Sequence, residues 1–208
     1  MPRIFVDGQE HMGSNRFGEI TIGELLSDFM TSLAGSQKMV CAVDIDGVPL
    51  TEESLPHVAQ RQTAGVGTVA LRTMTHGELT RFGLQRAVLL ADDVIRQAAL
   101  SAEYFRTAPR EAANRLYAAC LDDLQLLVDV VDQTLRLQDG APQTAGQPAQ
   151  PALPRLLPQL AAVTGELLLA YRRDDVMVVA DLLTYELVPL LKDIHQGLET
   201  SLARMEVE

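Results

Sequence analysis

The residues of this 208-residue chain whose types could do chemistry are mostly acidic, and their spacing argues against each chemistry in turn. Asp44-Ile45-Asp46-Gly47 has the outward form of an acidic metal or phosphotransfer motif. A calcium loop needs further oxygen ligands and a Glu in register, and Val48-Pro49-Leu50 stand where those ligands would be. A strand ending in a hairpin turn is the expected role. The pairs Asp92-Asp93, Asp122-Asp123 and Asp174-Asp175 raise the possibility of a carboxylate-bridged metal inside a helical bundle. Such a site takes inward Glu residues and Glu-x-x-His pairs, whereas neighbouring helical residues diverge by about 100° and cannot share one inward face. His195 has Lys192, not a carboxylate, three residues before it. The pairs are expected on solvated helix faces.

The remaining candidates are equally sparse. His11, His57, His76 and His195 follow no repeated ligand spacing, and no Ser-His-Asp or Cys-His order emerges. Cys41 and Cys120 lack CxxC spacing, so they are expected to be buried small hydrophobes rather than a disulfide or zinc knuckle. Gly65-Val66-Gly67 lacks the third glycine and the following helix of a phosphate cradle. No catalytic, cofactor-binding or metal-ligating residue is assigned, no cofactor is expected, and a non-enzymatic role is favoured.

Charge narrows the partners. A net charge of −11 disfavours nucleic acid and anionic membrane surfaces, because phosphate binding needs clustered Lys and Arg. No run approaches the ~18 apolar residues of a membrane helix, and Met1-Pro2-Arg3-Ile4-Phe5 opens no signal-peptide core, so a cytoplasmic protein is expected. With 47% apolar residues, 4% aromatic and no Trp, the core must be built from Leu, Val and Ala, as helical bundles are.

The elements that position these residues divide the chain into an α+β pair: a small β-rich part over 1–75 and helices over 76–208. Arg3-Ile4-Phe5-Val6 before Asp7-Gly8 reads as a strand entering a hairpin, with Phe17 to Ile20 as a possible return strand. Thr21 and Glu24 have capping-box spacing, and Ile22, Leu25, Leu26, Phe29 and Leu33 continue a helix to about Ala34, stopped by Gly35. Met39–Ile45 and Gly67–Thr73 read as further strands. On the Thr-Ile-Gly-Glu-Leu-Leu helix start, the Val-Asp-Ile-Asp-Gly-Val strand-turn and the Val-Ala-Leu-Arg-Thr strand, this part resembles the β-grasp, or ubiquitin-like, fold. That resemblance implies no particular activity. Ubiquitin-like modifiers act through a C-terminal Gly-Gly, whereas this sequence ends Met205-Glu206-Val207-Glu208, so conjugation is not expected.

From Gly77 the apolar period changes to that of helices. One stripe runs Leu84, Ala87, Val88, Ala91, Val94, Ile95, Ala98, Ala102 and Phe105 to a break at Ala108-Pro109. A second runs Ala113, Leu116, Cys120, Leu124, Leu127, Val131 and Leu135. The two should pack antiparallel. Residues 140–154 carry four prolines and no charge, and read as a flexible loop, better explained as an insertion than as a loose joint. A third helix follows from about Leu156 to Tyr171, with Pro158 in its first turn. Arg172-Arg173-Asp174-Asp175 makes the turn into a fourth from Val176 to Met205. Four stripes give an antiparallel four-helix bundle.

The last helix carries more apolar surface than one stripe requires. Val178, Leu182, Tyr185 and Val188 form a second line, which either lies buried at the centre of the bundle or forms a groove or oligomer contact. Pro189 should kink this helix and could shape such a groove. In layout, this half resembles the flagellin-type export chaperones. The match is Leu167-Leu168-Leu169-Ala170 before Asp174-Asp175, then Val179-Ala180-Asp181-Leu182-Leu183. The added β-rich part departs from that family, and the two-part layout is expected of a bacterial family. The expectation is an adaptor or chaperone-like protein that binds a protein segment through the helices or the β-part's edge. Alternatives are a metal-binding or enzymatic bundle, and a structural homo-oligomer joined through the last helix.

Overall fold

The computed structural model describes residues 3–11, 20–33, 35–36, 38–51, 53–139 and 153–205. The chain forms two compact units, residues 1–79 and 80–208. It is α+β, a mixed sheet followed by helices.

In the first unit, β1 (Arg3–Val6), β2 (Gln9–His11), β3 (Lys38–Ile45), β4 (Val48–Pro49) and β5 (Thr68–Thr75) form a five-stranded sheet in the order β2-β1-β5-β3-β4. β1 and β5 run parallel, and the other neighbours are antiparallel. The return strand of the first hairpin starts at Gln9, directly after the turn, rather than at Phe17. Ile20 lies in a bend, and Phe17–Glu19 fall outside the described residues. Both hairpins turn on Asp-Gly, with all four residues at positive φ: Asp7 51°, Gly8 80°, Asp46 52° and Gly47 80°. Asp and Gly are the residues that tolerate this conformation.

Each turn Asp also latches its hairpin to β5. Asp7 accepts hydrogen bonds from the Thr73 N–H (2.8 Å) and hydroxyl (2.7 Å), and Asp46 Oδ1 accepts from the N–H groups of Gly67 (2.9 Å) and Thr68 (2.7 Å). The Asp44–Gly47 motif is thus a strand end and a structural turn.

The helix α1 (Ile22–Leu33) begins at the expected capping box. The Thr21 N–H donates to Glu24 (2.8 Å), and the Glu24 N–H donates to Thr21 Oγ1 (3.2 Å). Ile22, Leu25 and Phe29 of α1 meet Ile4, Ile45, Val66, Val69 and Leu71 in one core. A short helix α2 (Leu55–Ala59) and a 3-10 turn (Thr63–Gly65) join β4 to β5. Both are too short to leave an apolar period in the sequence.

The remaining helices are α3 (His76–Thr107), α4 (Arg110–Asp139), α5 (Leu153–Arg172), α6 (Val176–Leu182) and α7 (Val188–Met205). A π-helical turn over Leu183–Leu187 makes α6 and α7 continuous. Thr75 and Glu78 supply a second capping box at the start of α3. Within the second unit, these helices bury Leu84, Val94, Cys120, Leu167, Leu187 and Ile194, among others, in one apolar cluster. Gly83 and Thr134 touch near one end of the α3–α4 pair, and Phe105 and Tyr117 stack edge-on at the other, 5.5 Å apart, so α3 and α4 run in opposite directions.

Two expectations change here. α5 begins at Leu153, so Leu153 and Pro154 are helical rather than part of the loop, and residues 140–152 lie outside the described residues. Pro158 consequently sits inside the helix, in its second turn, rather than in its first. On α4 the inward aromatic is Tyr117, 4% exposed, while Leu116 is partly exposed. Spacings of three and four allow either residue.

Candidate functional site

Pro189 lacks an N–H and its ring crowds the carbonyl four residues back, that of Tyr185. The disturbance expected there takes the form of the π turn: the Val188 N–H donates to the Leu183 carbonyl, five residues earlier. The extra residue in the turn rotates all that follows. Val188 therefore aligns with Thr184 instead of continuing the line of Val178 and Tyr185.

A groove of about 240 Å³ lies between the π turn and the C-terminal half of α3, lined by Ala99, Glu103, Arg106, Thr107, Thr184 and Val188. Arg106 spans it. Its guanidinium donates to Asp181 (2.7 Å) and to the Thr184 hydroxyl (3.2 Å), and that hydroxyl donates in turn to the Ala180 carbonyl (2.7 Å). At the same end of the helices, Arg110 pairs with Asp174, and the Asp175 carboxylate caps α6 by accepting from the Val178 N–H. The turn charges thus tie the helix ends together.

The four residues singled out from sequence do not stay together. Tyr185 is 71% exposed and Val178 is 43% exposed, so neither is buried within the helices. Leu182 is half-buried against the apolar cluster. Val188 is half-buried and is the member of the line that enters the groove. Glu103 and Arg106, the groove's charged residues, had not been singled out, since nothing in the sequence of α3 marks the face that a helix some 80 residues away will meet.

Burial pushes the Tyr117 hydroxyl and the Cys120 thiol up to about 12, so both stay protonated near neutral pH. Cys120 is buried, as expected, but Cys41 is exposed: it sits at a bulge of β3, with its Sγ 3.2 Å from the Arg72 carbonyl. The half-buried His195 lies between Asp92 of α3 (3.3 Å) and Glu199 (3.6 Å), carboxylates that the sequence around Lys192 did not reveal. No group of three or more His, Cys, Asp or Glu side chains among the described residues is placed to hold a metal ion. No described helix is long and apolar enough to cross a membrane.

Comparison with known proteins divides the chain in a similar way. Residues 3–75 match the family model described as the TP0873 N-terminal domain. No curated protein and no solved structure matches the chain. Residues 84–197, more than half of the sequence, match the model described as a domain of unknown function, DUF8042, and the chain belongs to that family.

Proposed function

We propose that this chain is a non-enzymatic interaction protein of adaptor or chaperone-like type, which holds a segment of a partner protein against the groove between α3 and the π turn. The observation that carries the reading is the exposure of Tyr185, at 71%, in the residue next to groove-lining Thr184. A tyrosine offers a large ring and a polar tip at little conformational cost, and a solvated one beside a groove is suited to contact rather than to packing. Ala99 and Val188 supply an apolar floor, and Arg106 supplies a charge that fixes a segment's direction.

The architecture that supports this is an antiparallel four-helix bundle. Contacts between Gly83 and Thr134, Arg106 and Asp181, and Gly197 and Leu153 favour alternating helix directions. The sheet order and its parallel β1–β5 pair support the β-grasp reading of the first unit. The unpaired Cys41 and Cys120 fit a reducing, cytoplasmic setting. The net charge of −11 favours a segment with basic residues.

Co-purification of the full chain from its native host tests the reading. A partner retained in stoichiometric amount by the wild type and lost from the Tyr185→Asp/Val188→Asp variant, with helical circular dichroism confirming that the variant folds, is expected. Equal retention by both would remove the groove from the account.

A further inference from the structure

We infer that the chain pairs with a second copy of itself along the outward face of α3, the two helices running antiparallel about a two-fold axis that passes between Val94 and Ile95. Opposite the face of α3 that carries Leu84, Ala91 and Ala98 into the core, Phe82, Leu89, Leu100 and Tyr104 are 51%, 61%, 40% and 39% exposed. Along that outward face, exposed residues recur at alternating intervals of four and three from Phe82 to Thr107, the repeat of a helix seam. The seam is about 38 Å long.

What identifies the occupant is that the seam is complementary to its own reverse. Leu89 and Leu100 are equidistant from the midpoint between Val94 and Ile95, and so are Arg86 and Glu103, and Asp93 and Arg96. An antiparallel copy therefore sets Leu89 against the second copy's Leu100, Arg86 against its Glu103 and Asp93 against its Arg96. Every charge meets its opposite, and the two leucines meet each other. A two-fold axis repeats each layer, as an isologous interface requires.

Arg86 and Glu103 have no ion-pair partner among the described residues of a single chain. The Asp93–Arg96 pair within α3, at 2.6 Å, is solvent-exposed on both sides and can exchange for the same pair between copies. A basic foreign helix would meet Arg86 and Arg96 unfavourably, whereas a second copy satisfies both signs.

Sedimentation of the full chain over a wide concentration range tests this. The wild type is expected to form a concentration-dependent dimer. Arg86→Glu should weaken it by about tenfold or more, because each symmetric layer counts twice. Leu89→Lys should weaken it as well. Combining Arg86→Glu with Glu103→Arg should restore the dimer, and Tyr185→Glu should leave it unchanged, with the helical circular dichroism of each variant confirming that it folds. A wild type that stays monomeric throughout would overturn the inference. So would a dimer indifferent to Arg86→Glu and Leu89→Lys, one that the double charge reversal fails to restore, or one abolished by Tyr185→Glu.

Discussion

Arg106 of α3 reaches across the groove to Asp181 of α6, 2.7 Å away, and its second arm holds the Thr184 hydroxyl at the start of the π turn. The two walls of the groove are thereby held by one ion pair that water reaches from both sides, with side-chain exposures of 31% for Arg106 and 57% for Asp181. An exposed ion pair of this kind contributes roughly 0.2–1 kcal/mol. Arg106→Ala is expected to lower unfolding stability by no more than this while weakening partner retention much more, and denaturation run beside co-purification separates the two effects.

At Gly83, α3 passes close to Thr134 of α4. A Cβ placed on it would collide with the Thr134 hydroxyl, which is buried and donates 2.7 Å to the Val130 carbonyl. Gly83→Ala should destabilise the helical unit by about 1–3 kcal/mol, the usual effect of overfilling a packed contact. Adding Thr134→Ala, which removes the obstructing oxygen, should recover most of the loss in a urea titration.

The Asp7 latch predicts acid sensitivity of the sheet unit. The Thr73 N–H, and then its hydroxyl, hold the Asp7 carboxyl below its ordinary value. A depressed folded-state value means that the stabilisation is present above the unfolded value, near 3.9, and is lost as pH falls through the folded one. The urea midpoint of the sheet should therefore drop on acidification below about pH 4. Asp7→Asn, which cannot titrate, should flatten that part of the profile.

The two thiols should behave differently. Cys41 is exposed, while Cys120 is fully buried, with its pKa raised to about 12, chiefly by desolvation. A thiol reagent at pH 8 is expected to titrate one group in the native chain and the second only in denaturant. The raised value also means that whatever stability Cys120 adds is complete below its unfolded value, near 8.5, and is lost as pH climbs towards 12.

Local chemistry was legible in the sequence, and what depends on two distant segments was not. The Thr21–Glu24 box, the Asp-Gly turns and the α3 stripe each encode their structure within a few residues. Tyr117 was missed because Leu116 satisfies the same spacing. The start of α5 at Leu153 was hidden by the proline-rich composition just before it. Pro189 announced a disturbance, but whether a helix answers a missing donor with a bend or a π turn depends on what packs around it. The groove is further still from legibility: Arg106 and Thr184 meet only once α3 and the last helix are side by side.

Hydrogen exchange on the complex isolated with its native partner tests the central claim most directly. The account predicts new protection in two separate stretches, residues 99–107 of α3 and 183–188 across the π turn, with the amides around Tyr185 among the most affected. Protection confined to the edge strands of the sheet, or none in either stretch, would contradict it.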